Sequence, residues 1–356
     1  MLQKNRSLSL LLAVILVLLP LTMGASSPTV SVSELERVAR DYNVSSDFLW
    51  EISGRETITV DKLRAYAKEY KLPAQYLQRF LTDQFVFKMG NDFEYIPVNH
   101  NLAKHNYNFD YLSGNSWEKT YQTDTHTAVK VIDVSTHQGY IDWERVRADG
   151  VEYAFIRLGY TGYLTGKMDI DSRYHENMAG AKAAGVKVGV YYYSQAVNKW
   201  EAAAEAQLVL DNLRGYTLDL PVVFDVEGAP ARNARTNGLS QQRYTNIING
   251  FMGPVQQAGY PVMLYSYSKF LIEELDMTQL TGYPLWLAQY YQVPFFPYQF
   301  DIWQYSAQGS VWGINKPVDM NLMFIKNPEP EVVQVDAVPL AEEVSMEEVQ
   351  EAPAAE

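Results

Sequence analysis

The chain has 356 residues, 47% of them hydrophobic, with 26 tyrosines, 7 tryptophans and no cysteine. That suits two domains or one large domain with additions, with an aromatic, sugar-compatible surface, and it excludes disulfides, zinc-thiolate sites and a cysteine nucleophile. The formal net charge is −13, but nine acids and no Lys or Arg fall between Asn327 and Glu356, which leaves −4 for the rest and no basic balance for a polyanion.

Lys4 and Arg6 precede an apolar run from Leu8 to Met23, followed by Gly24, Ala25, Ser26 and Ser27. A basic start, an apolar centre and a small-residue end form the layout of an export signal. Residues 1–26 therefore read as a signal peptide cut near Ala25 or Ser26, or as an uncleaved N-terminal anchor, which is the one membrane contact expected. An exported protein, secreted or associated with the cell envelope, follows from either.

Residues 29–90 read as a helical module with an internal duplication. "ARDYNVSSDFL" (39–49) and "AKEYKLPAQYL" (67–77) align at an offset of 28, and each reads as helix, short turn, helix. Ser45 and Pro73 stand where the second helix of each copy begins. Charge argues against a helix-turn-helix reader of DNA and for a structural or wall-contacting module: nine Lys or Arg balance nine Asp or Glu, leaving no surplus to displace counterions from phosphate. Nucleic acid is thus not an expected partner. Residues 91–128 show no period and read as a linker, with His100, His105 and His126 lacking the spacing of helical metal ligands.

From Val129 a regular alternation begins. "VKVIDV", "EYAFIRLG", "VKVGVYYYS", "LPVVFDVE", "PVMLYS", "PLWLAQY", "FDIWQYS" and "VDMNLM" read as strands, the first five separated by helical patterns. Strands alternating with helices predict a parallel sheet, and eight of them predict an α/β fold, an irregular TIM-like (β/α) barrel over residues 129–326, with little helix near its closure. The acidic tail, residues 327–356, has too few large apolar residues for a core and is expected to be disordered.

The remaining acids fall at strand ends. Asp133 ends the first strand, Asp225 and Glu227 end the fourth, and Asp319 lies on the eighth. Residues two apart on a strand point to the same side, so Asp225 and Glu227 emerge together. Closing a barrel makes the first and last strands neighbours, which brings Asp133 toward Asp319. Like charges so crowded repel unless one is protonated or a cation is bound. Two chemistries use such a cluster: a divalent metal site that activates water, and glycoside hydrolysis, in which a protonated carboxyl serves the leaving oxygen and an anion faces the sugar.

"DVSTHQGYIDW" from Asp133, "IRLGYTG" from Ile156, "GVYYYSQA" from Gly189, "PVVFDVE" from Pro221, "WLAQY" from Trp286 and "WQYSAQGSVWGINKPVDMN" from Trp303 resemble, in order and spacing, glycoside hydrolase family 25, the Chalaropsis-type lysozymes. The resemblance covers about Val129 to Ile325. It implies an N-acetylmuramidase that cleaves peptidoglycan glycan strands without metal or cofactor. Glu227 would be the general acid, and Asp225 would orient the substrate's acetamido group or support developing charge. Asp133 and Asp319 would complete an anionic floor. The reaction would retain configuration, with either a carboxylate or the substrate's acetamide as nucleophile. Among the aromatics ending the strands (Tyr191 to Tyr193, Trp286, Tyr290, Trp303), Tyr193, Trp286 and Tyr290 are the expected sugar-binding faces, and Gln138 either bonds sugar or braces its loop. A non-catalytic peptidoglycan-binding protein on the same scaffold is the alternative, and intact acids argue against it.

Overall fold

The computed structural model describes residues 27–115 and 117–328. The export segment, residues 1–26, and all of the acidic tail beyond Pro328 lie outside the described residues. Eight strands form the centre: β1 (His126–Val134), β2 (Tyr153–Thr161), β3 (Lys187–Ser194), β4 (Val222–Val226), β5 (Val262–Tyr267), β6 (Leu285–Ala288), β7 (Ile302–Gly309) and β8 (Val318–Lys326). They hydrogen-bond in the order β3-β4-β5-β6-β7-β8-β1-β2, and β2 pairs with β3, so the sheet closes on itself.

The strands from β1 to β7 are parallel to their sequence neighbours, but β8 runs antiparallel to both β7 and β1. This corrects the expectation of an all-parallel sheet. The reason is length: parallel neighbours need a crossover of about a dozen residues or more, and residues 310–317 are too short for one. Helices α1 (Trp143–Ala148), α2 (Tyr174–Ala183), α3 (Lys199–Leu213), α4 (Gln241–Gln257) and α5 (Ser268–Glu273) fill the earlier connections. Their starts follow local chemistry. The side chains of Asp142, Asn198 and Ser240 accept hydrogen bonds from N–H groups in the first turns of α1, α3 and α4.

Alternation along each strand separates two cores. Inward-pointing Val131, Phe155, Val223, Met263, Trp286 and Ile302 fill the barrel. Outward-pointing Ile132, Ile156, Val190, Phe224, Leu264 and Leu287 pack beneath the helices. Gly189 on β3 keeps the interior close-packed: a Cβ there would lie 2.6 Å from the Phe155 ring and 2.7 Å from Leu220.

Among the described residues no α-helix lies between β6 and β8. The outer face of those strands carries Trp303, Tyr305 and Phe324, and residues 84–121 cover it instead. Gln84–Met89 and Asp92–Pro97 form an antiparallel hairpin around Gly90 (φ 62°), where part of the module was expected to be helical; "QFVF" favours strand. Phe85 of that hairpin packs on Phe296 and Tyr298, with ring centroids 6.1 and 5.7 Å apart. Residues 91–128, expected as a linker, put Tyr107 against Phe324 at 4.2 Å between centroids, and its hydroxyl donates to the Phe300 carbonyl at 2.8 Å. The Lys119 ammonium sits 5.6 Å from the centroids of both Trp303 and Tyr305.

Upstream, helices Val32–Ala39 and Ser46–Ile52, then Val60–Glu69 and Ala74–Gln78, make the two helical hairpins. Thr29–Ser31 pairs antiparallel with Thr57–Thr59, tying the copies together. Leu35, Phe48, Ile52, Leu63, Tyr76 and Leu77 form a separate core there. No helix among the described residues is long and apolar enough to cross a membrane.

If Tyr107 is part of the barrel's outer core, Tyr107→Ala should destabilise the protein by about 3 kcal/mol or more, the usual range for losing a buried aromatic. Urea denaturation followed by tryptophan fluorescence checks this; a loss under about 1 kcal/mol would show that the segment merely lies on the surface.

Candidate active site

Each of the four expected acids points into the barrel mouth. Asp133 lies near the end of β1, Asp225 on β4, and Glu227 just beyond β4. Asp319 is near the start of β8, and because β8 is reversed, that start lies at the same rim, with Asp319 in register opposite Asp133. Together they line a cleft of about 410 Å³ whose walls include Tyr193, Trp286 and Tyr290.

Asp133 is the best-held acid. Its Oδ2 accepts hydrogen bonds from Gln304 Nε2 and Asn321 Nδ2, both at 2.9 Å. The two amides are themselves oriented. The Tyr265 and Tyr290 hydroxyls donate to Gln304 Oε1 at 2.8 Å each, and the Trp286 indole N–H donates to Asn321 Oδ1 at 2.8 Å. An amide whose oxygen is engaged in this way must turn its NH₂ toward Asp133. Asp225, by contrast, has a buried Oδ1 with no hydrogen-bond partner among the described residues.

Burial dominates the electrostatics. It raises the pKa of Asp133 to about 6 against the opposing hydrogen bonds from Asn321 and Gln304. Burial and then the charge of Asp133 raise Glu227 to about 7. Burial, Asp133 and Glu227 raise Asp319 to about 8. Asp225 lies well above the usual carboxylate range, through burial first and then Glu227 and Asp133, with Arg157 opposing. Near neutral pH the cluster therefore holds protons and negative charge at once, which is what paired acid and base chemistry requires. Among the described residues no three His, Asp or Glu side chains come together so as to hold a metal ion.

The expected sugar-binding residues divide. Tyr193 lines the cleft from β3, in register with Asp225, and Tyr290 stands 54% exposed at the mouth. Trp286 contributes to the lining but is 1% exposed and committed to Asn321, so it forms floor rather than open platform. Gln138 is outside the lining: its Oε1 accepts from the Ser135 backbone N–H at 2.9 Å and its Nε2 donates to the Pro317 carbonyl at 3.1 Å, which braces the loop after β1. Tyr192 and Trp303 have the wrong parity and face outward, Tyr192 toward Phe251 and Trp303 toward the Gln289 carbonyl.

Sequence reasoning did not assign roles to Arg157, Gln304 and Asn321. Arg157 lines the cleft while its guanidinium is anchored to Asp171 at 2.7 and 2.8 Å. Their signal was present as polar residues at inward positions of otherwise apolar strands, legible only once strand parity is known.

Residues 132–314 match the family described as glycosyl hydrolases family 25. The chain is 30% identical over 194 residues to the autolytic lysozyme of Clostridium acetobutylicum, covering 54% of this chain and 55% of that protein. It is 29% identical over 220 residues to lysozyme M1 of Streptomyces globisporus, covering 57% and 70%. It is 31% identical over 206 residues to the uncharacterized protein YegX of Escherichia coli, covering 54% and 68%. Among solved structures, the modular autolysin LytC from Streptococcus pneumoniae superimposes with a TM-score of 0.51 at 25% identity, over 67% of this chain and 56% of that one. The chain thus spans about half the length of the clostridial lysozyme and of the autolysin.

The raised carboxyl pKa values also bear on stability. A carboxyl whose pKa is higher folded than unfolded is harmless below the unfolded value and destabilises progressively as pH rises toward the folded one. For this cluster the loss of stability runs from about pH 4 to about pH 8. Asp225→Asn should therefore raise the melting temperature at pH 8 by about 2 °C or more and leave it unchanged near pH 4. Scanning calorimetry at both values reads this, and equal shifts at the two would place the effect outside titration.

Proposed function

The chain belongs to the glycosyl hydrolases of family 25, and from that membership we propose that it is an exported peptidoglycan hydrolase, cleaving the β-1,4 bond between N-acetylmuramic acid and N-acetylglucosamine. The observation that carries the reading is the single cleft in which β1, β4 and β8 present four carboxylates, with Glu227 held near pKa 7. The names of the relatives, two lysozymes and an autolysin, support a wall-directed activity.

Protonated Glu227 gives its proton to the glycosidic oxygen as the bond from that oxygen to the anomeric carbon breaks. Positive charge develops on the sugar, and ionised Asp133, oriented by Gln304 and Asn321, faces it; Asp319, held mostly protonated by its pKa of about 8, lies opposite Asp133 in the same floor. Asp225 steers the acetamido group that takes part at the anomeric carbon. Attack by a carboxylate or by that acetamide, followed by water, retains configuration. Tyr193 and Tyr290 offer faces on which sugar rings stack. A binding protein without catalysis has less support, since it has no use for a desolvated proton donor.

Glu227→Gln keeps the shape and removes the proton, so lysis of purified walls should fall by about 10²–10⁴-fold with the fold intact by circular dichroism. Wild-type-like clearing would end the assignment. The wild-type rate should be bell-shaped in pH, falling above about 7 as Glu227 loses its proton and below about 6 as Asp133 gains one.

The bond cleaved can be read independently. Digestion, borohydride reduction, acid hydrolysis and mass spectrometry should yield muramitol. Glucosaminitol as the main product would make the enzyme a glucosaminidase.

A further inference from the structure

Gln195 follows β3, is 0% exposed, and does not line the cleft. Its amide is nevertheless fully committed around it. Nε2 donates to the Glu227 backbone carbonyl at 3.2 Å and to the Tyr193 hydroxyl at 3.1 Å, while Oε1 accepts from the Thr236 hydroxyl at 3.0 Å. The Gln195 carbonyl accepts from Arg235 Nη1 at 3.0 Å. Arg235 is fixed in turn by a two-pronged pair with Glu201 on α3, at 2.7 and 3.1 Å.

The location explains the need. The β3–β4 ladder ends at Ser194 opposite Val226, and the β4–β5 ladder ends at Asp225 opposite Tyr265. Glu227 is thus the first residue of β4's chain beyond the sheet, with exposed Gly228 after it. A backbone with no ladder partner is free to swing unless a side chain takes the ladder's place. Two do so here. The Ser266 hydroxyl donates to the Val226 carbonyl at 2.6 Å, and Gln195 holds the next carbonyl along.

We propose that Gln195 is a positioning residue: a buried amide clamp that fixes the backbone carrying Glu227 and, through the same NH₂, the ring of Tyr193, so that proton donor and sugar-stacking face hold one relative geometry. The inference rests on the reading of Glu227 as general acid. Because one NH₂ group bonds both, donor and platform cannot shift separately. Thr236 and Arg235 anchor the clamp to residues 229–240, the connection between β4 and α4.

The groups facing Glu227 define what loosening would do. Asp225, Asp133 and Asp319 surround it from β4, β1 and β8. Tyr193, Tyr265, Tyr267 and Tyr290 approach from β3, β5 and the connection after β6. Release of the clamp lets Glu227 move outward, away from the acids and toward water. Both changes lower its proton affinity.

Gln195→Met keeps length and buried volume while removing both donors. In the full chain it should lower kcat on soluble peptidoglycan fragments by about 10–100-fold, the scale of a misplaced catalytic group. The alkaline limb of the pH–rate profile should move down by about half a pH unit or more. In a Glu227→Gln background the same substitution should cause a clearly smaller loss, the part that runs through Tyr193, since the rest of the clamp acts through Glu227. Equal losses in both backgrounds, or an unmoved alkaline limb with only a lower melting temperature, would overturn the proposal and leave Gln195 a packing residue. Thr236→Val, which frees only Oε1, should shift the limb in the same direction by less, and it serves if Gln195→Met does not fold. A ¹³C-carboxyl NMR titration of Glu227 reads the midpoint without turnover. A chain that cleaves no glycan yet shows the downward midpoint would sink the proposed activity and keep the clamp.

Discussion

The cleft depends on β8 running antiparallel between β7 and β1. That pairing closes the barrel, and its register sets Asp319 opposite Asp133 and Asn321 opposite Val131. A parallel β8 would carry Asp319 to the far end of the barrel, and the mouth would lose one carboxylate and one of the two amides that hold Asp133. The reversal follows from the short connection after β7, so a loop too short for a crossover decides the composition of the acid cluster.

Closure also sets the electrostatics. Four carboxyl groups drawn into a desolvated mouth raise one another's pKa values, and burial does more of this than mutual charge. The fold tolerates the arrangement because its polar partners are held in turn. Gln304 and Asn321 are fixed by Tyr265, Tyr290 and Trp286, so the donors on Asp133 need no reorganisation when charge develops nearby. Asp225 lacks such support, which is why its removal is the substitution expected to stabilise.

The barrel's helix-poor flank shapes the rest of the chain. With no helix between β6 and β8 among the described residues, the aromatic outer face of β7 and β8 is covered by the hairpin at 84–97 and by Tyr107, Lys119 and Tyr121. The helical hairpins before it keep a core of their own, joined to the barrel through this cover. The cover is thus part of the barrel's packing as well as a connection to it.

What the sequence determined by itself was local. Apolar runs such as "LPVVFDVE" and "VKVGVYYYS" mark strands because buried strands need continuous apolar residues, and Asp225 and Glu227 were visible as carboxylates at the end of the first of these. Eight strands implied closure, and closure implied that Asp133 and Asp319 would meet. Tertiary structure alone decided the direction of β8, the parity that turns Tyr193 and Gln304 inward but Tyr192 and Trp303 outward, and the commitment of Gln138 to Pro317 rather than to the cleft. It also decided that residues 84–121 replace missing helices and that Gln195 reaches the carbonyl of Glu227. These depend on which strand lies beside which and on how much water each side chain keeps. A one-residue change of register reverses every face, and desolvation is a property of the closed barrel that no stretch of the chain possesses alone.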